Sequence, residues 1–146
     1  MQYFNTKEFP NFSFLTHASR DTRGGIKTAG FVGIIPDSDP PRLAETAGEQ
    51  MTYAMGYAEA AVLAAGGELR RRTLGRVLIF HTQREDSGAI TEAYVDYLNN
   101  AGVAPEERPP RAAIGASFLP MDALVEILVD AEVPGELAGN VPEESL

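Results

Sequence analysis

The chain has 146 residues, of which 44% are hydrophobic and 23% are charged, and it contains no cysteine. This is the composition of one globular domain, and it excludes disulfides, thiolate catalysis and cysteine metal sites. The 21 acidic and 12 basic side chains give a formal net charge of −9, which disfavours a broad electrostatic interface with nucleic acid, and two histidines are too few for a multi-histidine metal site.

The first half of the chain predicts an extended arm, two strands and a helix. Residues 1–14 are rich in aromatic side chains and lack the pattern of a secretory signal. No apolar run approaches the roughly 18 residues that a membrane span needs, so we predict a cytoplasmic protein without a membrane partner. Residues 15–22 and 25–36 predict strands separated by a glycine turn. Apolar residues between 44 and 65 recur at helical spacing, and Gly66 and Gly67 end this helix.

The second half predicts a strand over residues 76–81, a helix over 88–101 and two closing strands over 111–119 and 123–133. The basic cluster Arg70-Arg71-Arg72 is interpreted as a solvated loop or the start of a strand. We expect one domain over residues 1–133 and an acidic, mobile tail over residues 134–146.

This order of elements predicts an α/β chain of the α+β type, with two layers and one sheet covered by helices on a single face. The last strand is apolar on both of its faces, because Val125, Ile127 and Val129 alternate with Leu124 and Leu128. The helices can cover only one face. A second copy of the chain is the simplest cover for the other, which predicts a homo-oligomer.

Two charges interrupt the apolar closing strands, Arg111 and Glu126. In a simple hairpin they would lie about 16 Å apart, so they could meet only across a subunit interface or in another strand order. One interpretation places each charge at an edge, paired or exposed. The other is a site in which Arg111 binds a carboxylate through two hydrogen bonds, Glu126 acts on water, and the small neighbours Ala113 and Gly115 leave room for a ligand.

The same segment resembles the C-terminal signature of the RidA (YjgF) family. The residues that carry the resemblance are Pro109-Pro110-Arg111, Leu119-Pro120 and Val125-Glu126-Ile127, with weaker matches at Gly33, Pro36, Gln50 and Ala65-Gly66. The similarity covers roughly residues 15–133. It implies a chorismate-mutase-like fold with a mixed sheet of about six strands and two helices on one face, in a homotrimer with ligand clefts between its subunits.

The resemblance also implies a reaction: hydrolysis of enamines or imines derived from amino acids to a 2-keto acid and ammonia, without metal or organic cofactor. Arg111 would hold the substrate carboxylate, and Glu126 would position or activate water. The surrounding residues depart from the family pattern, because Ala113 stands where cysteine is common, Thr91 where asparagine is common, and His17 near the family's tyrosine. Gly33 lies in a segment, residues 32–34, that replaces the usual Ser-Gly-Gln.

These departures indicate a related reaction on a bulkier or pathway-specific substrate, with Arg111, Ala113, His17, Thr91 and Gly33 as substrate-binding residues. A non-catalytic module that binds a small metabolite such as a keto acid is an open alternative, as is another biosynthetic reaction on the same scaffold. An endoribonuclease is disfavoured by the net charge and by the lack of a histidine pair.

Overall fold

A computed structural model describes residues 1–69 and 74–135 of the chain. Its two helices are α1 (Ala47–Ala64) and α2 (Ser87–Asn100). Its strands are β1 (Gln2–Phe4), β2 (Ala18–Arg20), β3 (Gly25–Thr28), β4 (Phe31–Val32), β5 (Leu74–His81), β6 (Arg111–Gly115) and β7 (Val125–Glu132). The predictions for the cluster at residues 70–72 and for residues 136–146 of the tail lie outside the described residues.

The strands form one mixed sheet in the order β1-β2-β3-β7-β5-β6, with β4 paired to β7 beyond the end of β3. Every pair is antiparallel except β5 and β6, which are parallel and are connected through α2. The predicted mixed sheet with two helices is confirmed. The two closing strands do not form a hairpin, because β5 lies between them.

The strand predicted over residues 25–36 is two strands, because the chain leaves the sheet after Thr28. The Val129 N–H of β7 donates to the Thr28 hydroxyl at 3.0 Å, and that hydroxyl donates to the Ala29 carbonyl at 2.9 Å. The side chain therefore satisfies the backbone donor that the break would leave without a partner. The arm also adds β1 to the sheet edge, and β6 ends at Gly115 rather than at residue 119.

The predicted amphipathic helix is α1, which begins at a Thr46 cap. The Thr46 hydroxyl accepts from the Glu49 N–H at 3.2 Å and donates to the Glu49 carboxylate at 2.8 Å, which satisfies one of the helix's unpaired donors. The predicted apolar stripe is buried in the core: Met51, Ala54, Met55, Ala58, Ala61 and Val62. Neither described helix is long and apolar enough to cross a membrane.

The two faces of the sheet differ in cover. Val125, Ile127 and Val129 of β7, and Val77 and Ile79 beside them, are buried in the core with the helices. On the opposite face Leu78 and Leu128 are only half-buried, and Ile114 of β6 is 41% exposed. All five residues of the edge strand β6 are exposed.

Candidate functional site

Arg111 begins the edge strand β6 and points toward the helix side of the sheet. Its Nη2 donates to the Thr91 hydroxyl of α2 at 3.0 Å, and its guanidinium carbon lies 5.2 Å from the centroid of the Tyr94 ring. Ala113, two residues further along β6, shares this face and is exposed. Because the guanidinium has further N–H donors, a carboxylate can still bind it with two hydrogen bonds.

The Tyr94 ring packs against the Arg111 guanidinium, and Tyr94 was not predicted as a site residue. Its side chain is 4% exposed, and its hydroxyl has no hydrogen-bond partner among residues 1–69 and 74–135. Burial raises the pKa of Tyr94, so the ring stays a neutral phenol whose face attracts the cation. The sequence holds one indication of this contact: Thr91 and Tyr94 are three residues apart on one helix, a spacing that puts both beside the same neighbour.

Glu126 lies half-buried near the start of β7, opposite Val32 on one side and Phe80 on the other. Burial away from water raises the pKa of Glu126, and no cation in the described part of the chain forms an ion pair with it. Gly30 gives the carboxyl group its space, because an added Cβ would lie only 2.8 Å from the Glu126 Cδ. A desolvated carboxylate of this kind is a stronger base than an exposed one.

Glu126 also forms part of the wall of an apolar cavity of about 230 Å³. The N-terminal segment supplies one part of the wall, and residues in and around β4 and in the loop before β7 supply the rest: Phe9, Phe12, Phe14, Leu15 and His17, with Gly30, Phe31, Val32, Ile34, Pro120 and Met121. The aromatic residues at positions 1–14 predicted an extended arm but not this cavity.

His17 and Gly33 are both buried by contacts within the chain. The Thr6 N–H donates to His17 Nδ1 at 3.0 Å, so Nε2 carries the proton and donates to the Pro10 carbonyl at 3.1 Å. Gly33 packs against α1, where an added Cβ would lie 2.2 Å from the Gln50 Cα. The imidazole thus holds the arm in place and lines the cavity, and the substrate contacts of both residues stay predictions.

Within one chain the two charges lie on opposite faces of the sheet. Arg111 is paired with Val77, and Glu126 is paired with Phe80, a residue of opposite alternation on the same strand. Three residues along β5 and two strand spacings separate them, which is about 14 Å between Cα atoms. The chain therefore contains two candidate half-sites: Arg111 with Thr91, Tyr94 and Ala113, and Glu126 with Gly30 and the cavity.

Apart from His17 in the cavity wall, the polar side chains of these two groups are one guanidinium, one carboxyl, one hydroxyl and one phenol. Within residues 1–69 and 74–135, no group of three or more histidine and acidic side chains could hold a metal ion. The available chemistry consists of binding an anion at Arg111 and accepting a proton at Glu126.

The family model, the curated relative and the solved structures that match this chain point to the same family. A family model described as endoribonuclease L-PSP matches residues 13–133. A RutC family protein of Aquifex aeolicus is 29% identical over 111 residues, which cover 76% of this chain and 82% of that protein. The crystal structure of YyfA of Yersinia pestis, from the Rid protein family, has a TM-score of 0.76 at 28% identity and covers 90% of this chain and 98% of its own. E. coli TdcF, crystallised with bound serine, has a TM-score of 0.80 at 19% identity, over 92% of this chain and 100% of its own.

Proposed function

Since the chain belongs to the RidA (YjgF, L-PSP) family and has its chorismate-mutase-like fold, we propose that it hydrolyses a carboxylated enamine or imine to a keto acid and ammonia. The observation that carries the proposal is the pair of half-sites. One presents a cation suited to a carboxylate, and the other presents a desolvated carboxyl group beside a cavity. Each half is chemically incomplete without the other.

We further propose that the two half-sites meet between subunits of a homotrimer. Three features support this assembly: the two charges face opposite sides of the sheet, β6 is exposed along its whole length, and Leu78 and Leu128, on the face away from the helices, are only half-buried. In such an assembly one subunit supplies Arg111, Thr91 and Ala113, and its neighbour supplies Glu126. The threefold symmetry is taken from the family resemblance.

The reaction needs one water molecule and no redox partner. Arg111 fixes the substrate carboxylate, which leaves the imine carbon facing Glu126 of the neighbouring subunit. Glu126 accepts a proton from water as the water oxygen bonds to that carbon, and the proton passes to the imine nitrogen. The hydroxyl proton of the resulting carbinolamine then passes to the amino nitrogen, the C=O bond forms as the C–N bond breaks, and ammonia leaves with the electron pair of that bond.

The test is ammonia release and imine decay with imines generated in place from several amino acids by an oxidase. We expect Arg111→Ala to lose about 100-fold or more in kcat/KM, because a charge-assisted contact with two hydrogen bonds is lost. Glu126→Gln should lose about 100-fold or more in kcat, the usual contribution of a general base. Arg23→Ala, in the exposed turn before β3, is the matched control. Full activity in both site variants, with the oligomer intact, would refute the proposal.

A second function is favoured by one observation: E. coli TdcF, which shares the fold, was crystallised with bound serine. The Arg111 half-site could hold such a carboxylate without any reaction following. In that case calorimetry would detect saturable binding of serine or a 2-keto acid that Arg111→Ala abolishes, and no imine would release ammonia faster than in buffer.

A further inference from the structure

We propose that the cavity beside Glu126 receives the substrate's side chain and selects imines whose side chain is apolar and about the size of a phenyl group. This inference rests on the proposed function, because it assigns the substrate class of the same site. It is carried by the size, lining and position of the cavity and by the way the arm is held.

The cavity adjoins the reacting carbon of the proposed mechanism. In a carboxylated imine, the carbon that water attacks also carries the side chain, whose first atom is about 1.5 Å away. Glu126 contributes to the cavity wall. A substrate whose imine carbon lies within reach of water held by Glu126 therefore has its side chain beside the cavity.

The lining indicates an apolar side chain. Phe9, Phe12 and Phe14 form a continuous row of rings, with centroids 6.3 Å apart in the first contact and 5.4 Å in the second. His17 presents no unbonded ring nitrogen, because both are used by the backbone of the arm. Apart from Glu126, the wall therefore offers no charged side chain to a ligand, and a polar substituent would lose its hydration without a partner.

The volume indicates a large side chain. The cavity holds about 230 Å³, and an apolar cavity of about 150 Å³ is enough to bind benzene. A phenyl group or a branched aliphatic group can thus enter and contact several walls. A methyl group would leave most of the space without contacts and would gain little from dispersion.

The arm is held so that the cavity exists before the substrate arrives. His17 bonds Thr6 and Pro10 through its ring, and its backbone N–H donates to the Asn5 side chain at 3.0 Å. Phe14 remains 79% exposed even so, at the outer part of the wall. A wall fixed in advance costs less conformational entropy on binding than one that must order around the ligand.

The experiment compares two imines, one formed from phenylalanine and one from alanine by the same oxidase. Wild type is tested beside Phe14→Ala, which removes wall, and Leu15→Trp, which fills the cavity from a position that is 37% exposed. Both positions tolerate substitution because neither side chain is buried. Tyr3→Ala, an exposed aromatic residue on β1 at the far edge of the sheet, is the matched control.

We expect wild type to prefer the phenylalanine-derived imine by about tenfold in kcat/KM. Phe14→Ala should reduce that preference about three- to tenfold, the range for one lost aromatic contact. Leu15→Trp should reduce turnover of the phenylalanine-derived imine much more than that of the alanine-derived imine, whose methyl group needs little of the cavity.

Two results would overturn the inference and leave the deaminase intact: equal kcat/KM for both imines in wild type, or a preference that Leu15→Trp does not alter. A third result would also overturn it: Phe14→Ala dissociates the oligomer, as measured by sedimentation, and leaves the substrate preference unchanged. The cavity would then be filled by a second copy of the chain rather than by the substrate's side chain. If wild type accelerates neither imine, the proposed function itself fails.

Discussion

The placement of Arg111 and Glu126 on opposite faces of one sheet predicts that two inactive variants restore activity when their subunits mix. In the proposed site, Arg111→Ala removes the side chain that holds the substrate carboxylate, and Glu126→Gln removes the base that accepts a proton from water. If each site takes one residue from each of two neighbouring chains, a mixed oligomer contains some sites that combine the intact Arg111 of one chain with the intact Glu126 of the next. A site built within one chain could never be restored in this way.

The expected magnitude follows from counting. In an equimolar mixture with free exchange, half of the chains carry an intact Arg111 and half carry an intact Glu126. Chance pairing around a closed ring therefore completes about one site in four, whatever the number of subunits in the ring. The mixture should regain about 25% of wild-type kcat, well above the residual activity of either parent.

The assay mixes the two purified variants under conditions that allow exchange, confirms mixed oligomers by native mass spectrometry with one variant mass-tagged, and measures ammonia release. Wild type mixed with the double variant is an independent check. It should retain about one quarter of the sites if they are shared between chains, and about half if each site lies within one chain. Verified exchange with activity no higher than the mean of the parents would refute the split site.

Two further predictions follow from the surroundings of Glu126. Gly30→Ala should lower kcat because its Cβ would lie 2.8 Å from the Glu126 Cδ and displace the carboxyl group, whereas the Cβ of Gly88→Ala meets nothing within 4 Å, and this variant should leave kcat almost unchanged. Because burial raises the pKa of Glu126 above its ordinary value of 4.5, the folded state retains this proton to higher pH than the unfolded state does, and the group's contribution to the free energy of unfolding falls as pH rises from about 4.5 through the folded pKa. Glu126→Gln should therefore become more stable relative to wild type across that range in urea titrations at a series of pH values, and an unchanged difference would contradict the raised pKa.

The parts of the fold that were predictable are those with a strong local pattern. Both helices have a periodic apolar face and a glycine stop, and the apolar second face of β7 indicated a surface that the helices leave uncovered. The break after Thr28 has no such pattern, since it depends on a hydroxyl that bonds Val129 about a hundred residues away. Strand order was not predictable for the same reason: β6 and β7 look like a hairpin in sequence, but β5 takes the place between them.

In the candidate site, too, the residues with a strong local sequence pattern were predictable and the rest were not. Arg111 and Glu126 could be identified because a charge inside an apolar strand is conspicuous and because the spacing of their flanking motifs resembles a known family. The cavity could not be identified, since its walls come from the arm, from β4 and from the loop before β7, and only the folded chain brings these together. His17 is buried because both of its ring nitrogens bond the backbone of the arm, and strand alternation in the sequence does not predict these contacts.

A carboxylated substrate of the proposed site would approach a chain of net charge −9. At physiological ionic strength the Debye length is about 8 Å, so acidic side chains elsewhere on the surface are largely screened from a ligand at Arg111. The neighbours of that cation are a hydroxyl and a neutral phenol, which add no negative charge of their own. The nearest proposed negative charge is Glu126 of the adjoining subunit, and a bound substrate carboxylate should raise the pKa of that group further. The pH profile of kcat reports the pKa of Glu126 in the substrate complex, and the profile of kcat/KM reports its pKa in the free enzyme. For the same imine, the pKa in the kcat profile should therefore lie above the pKa in the kcat/KM profile.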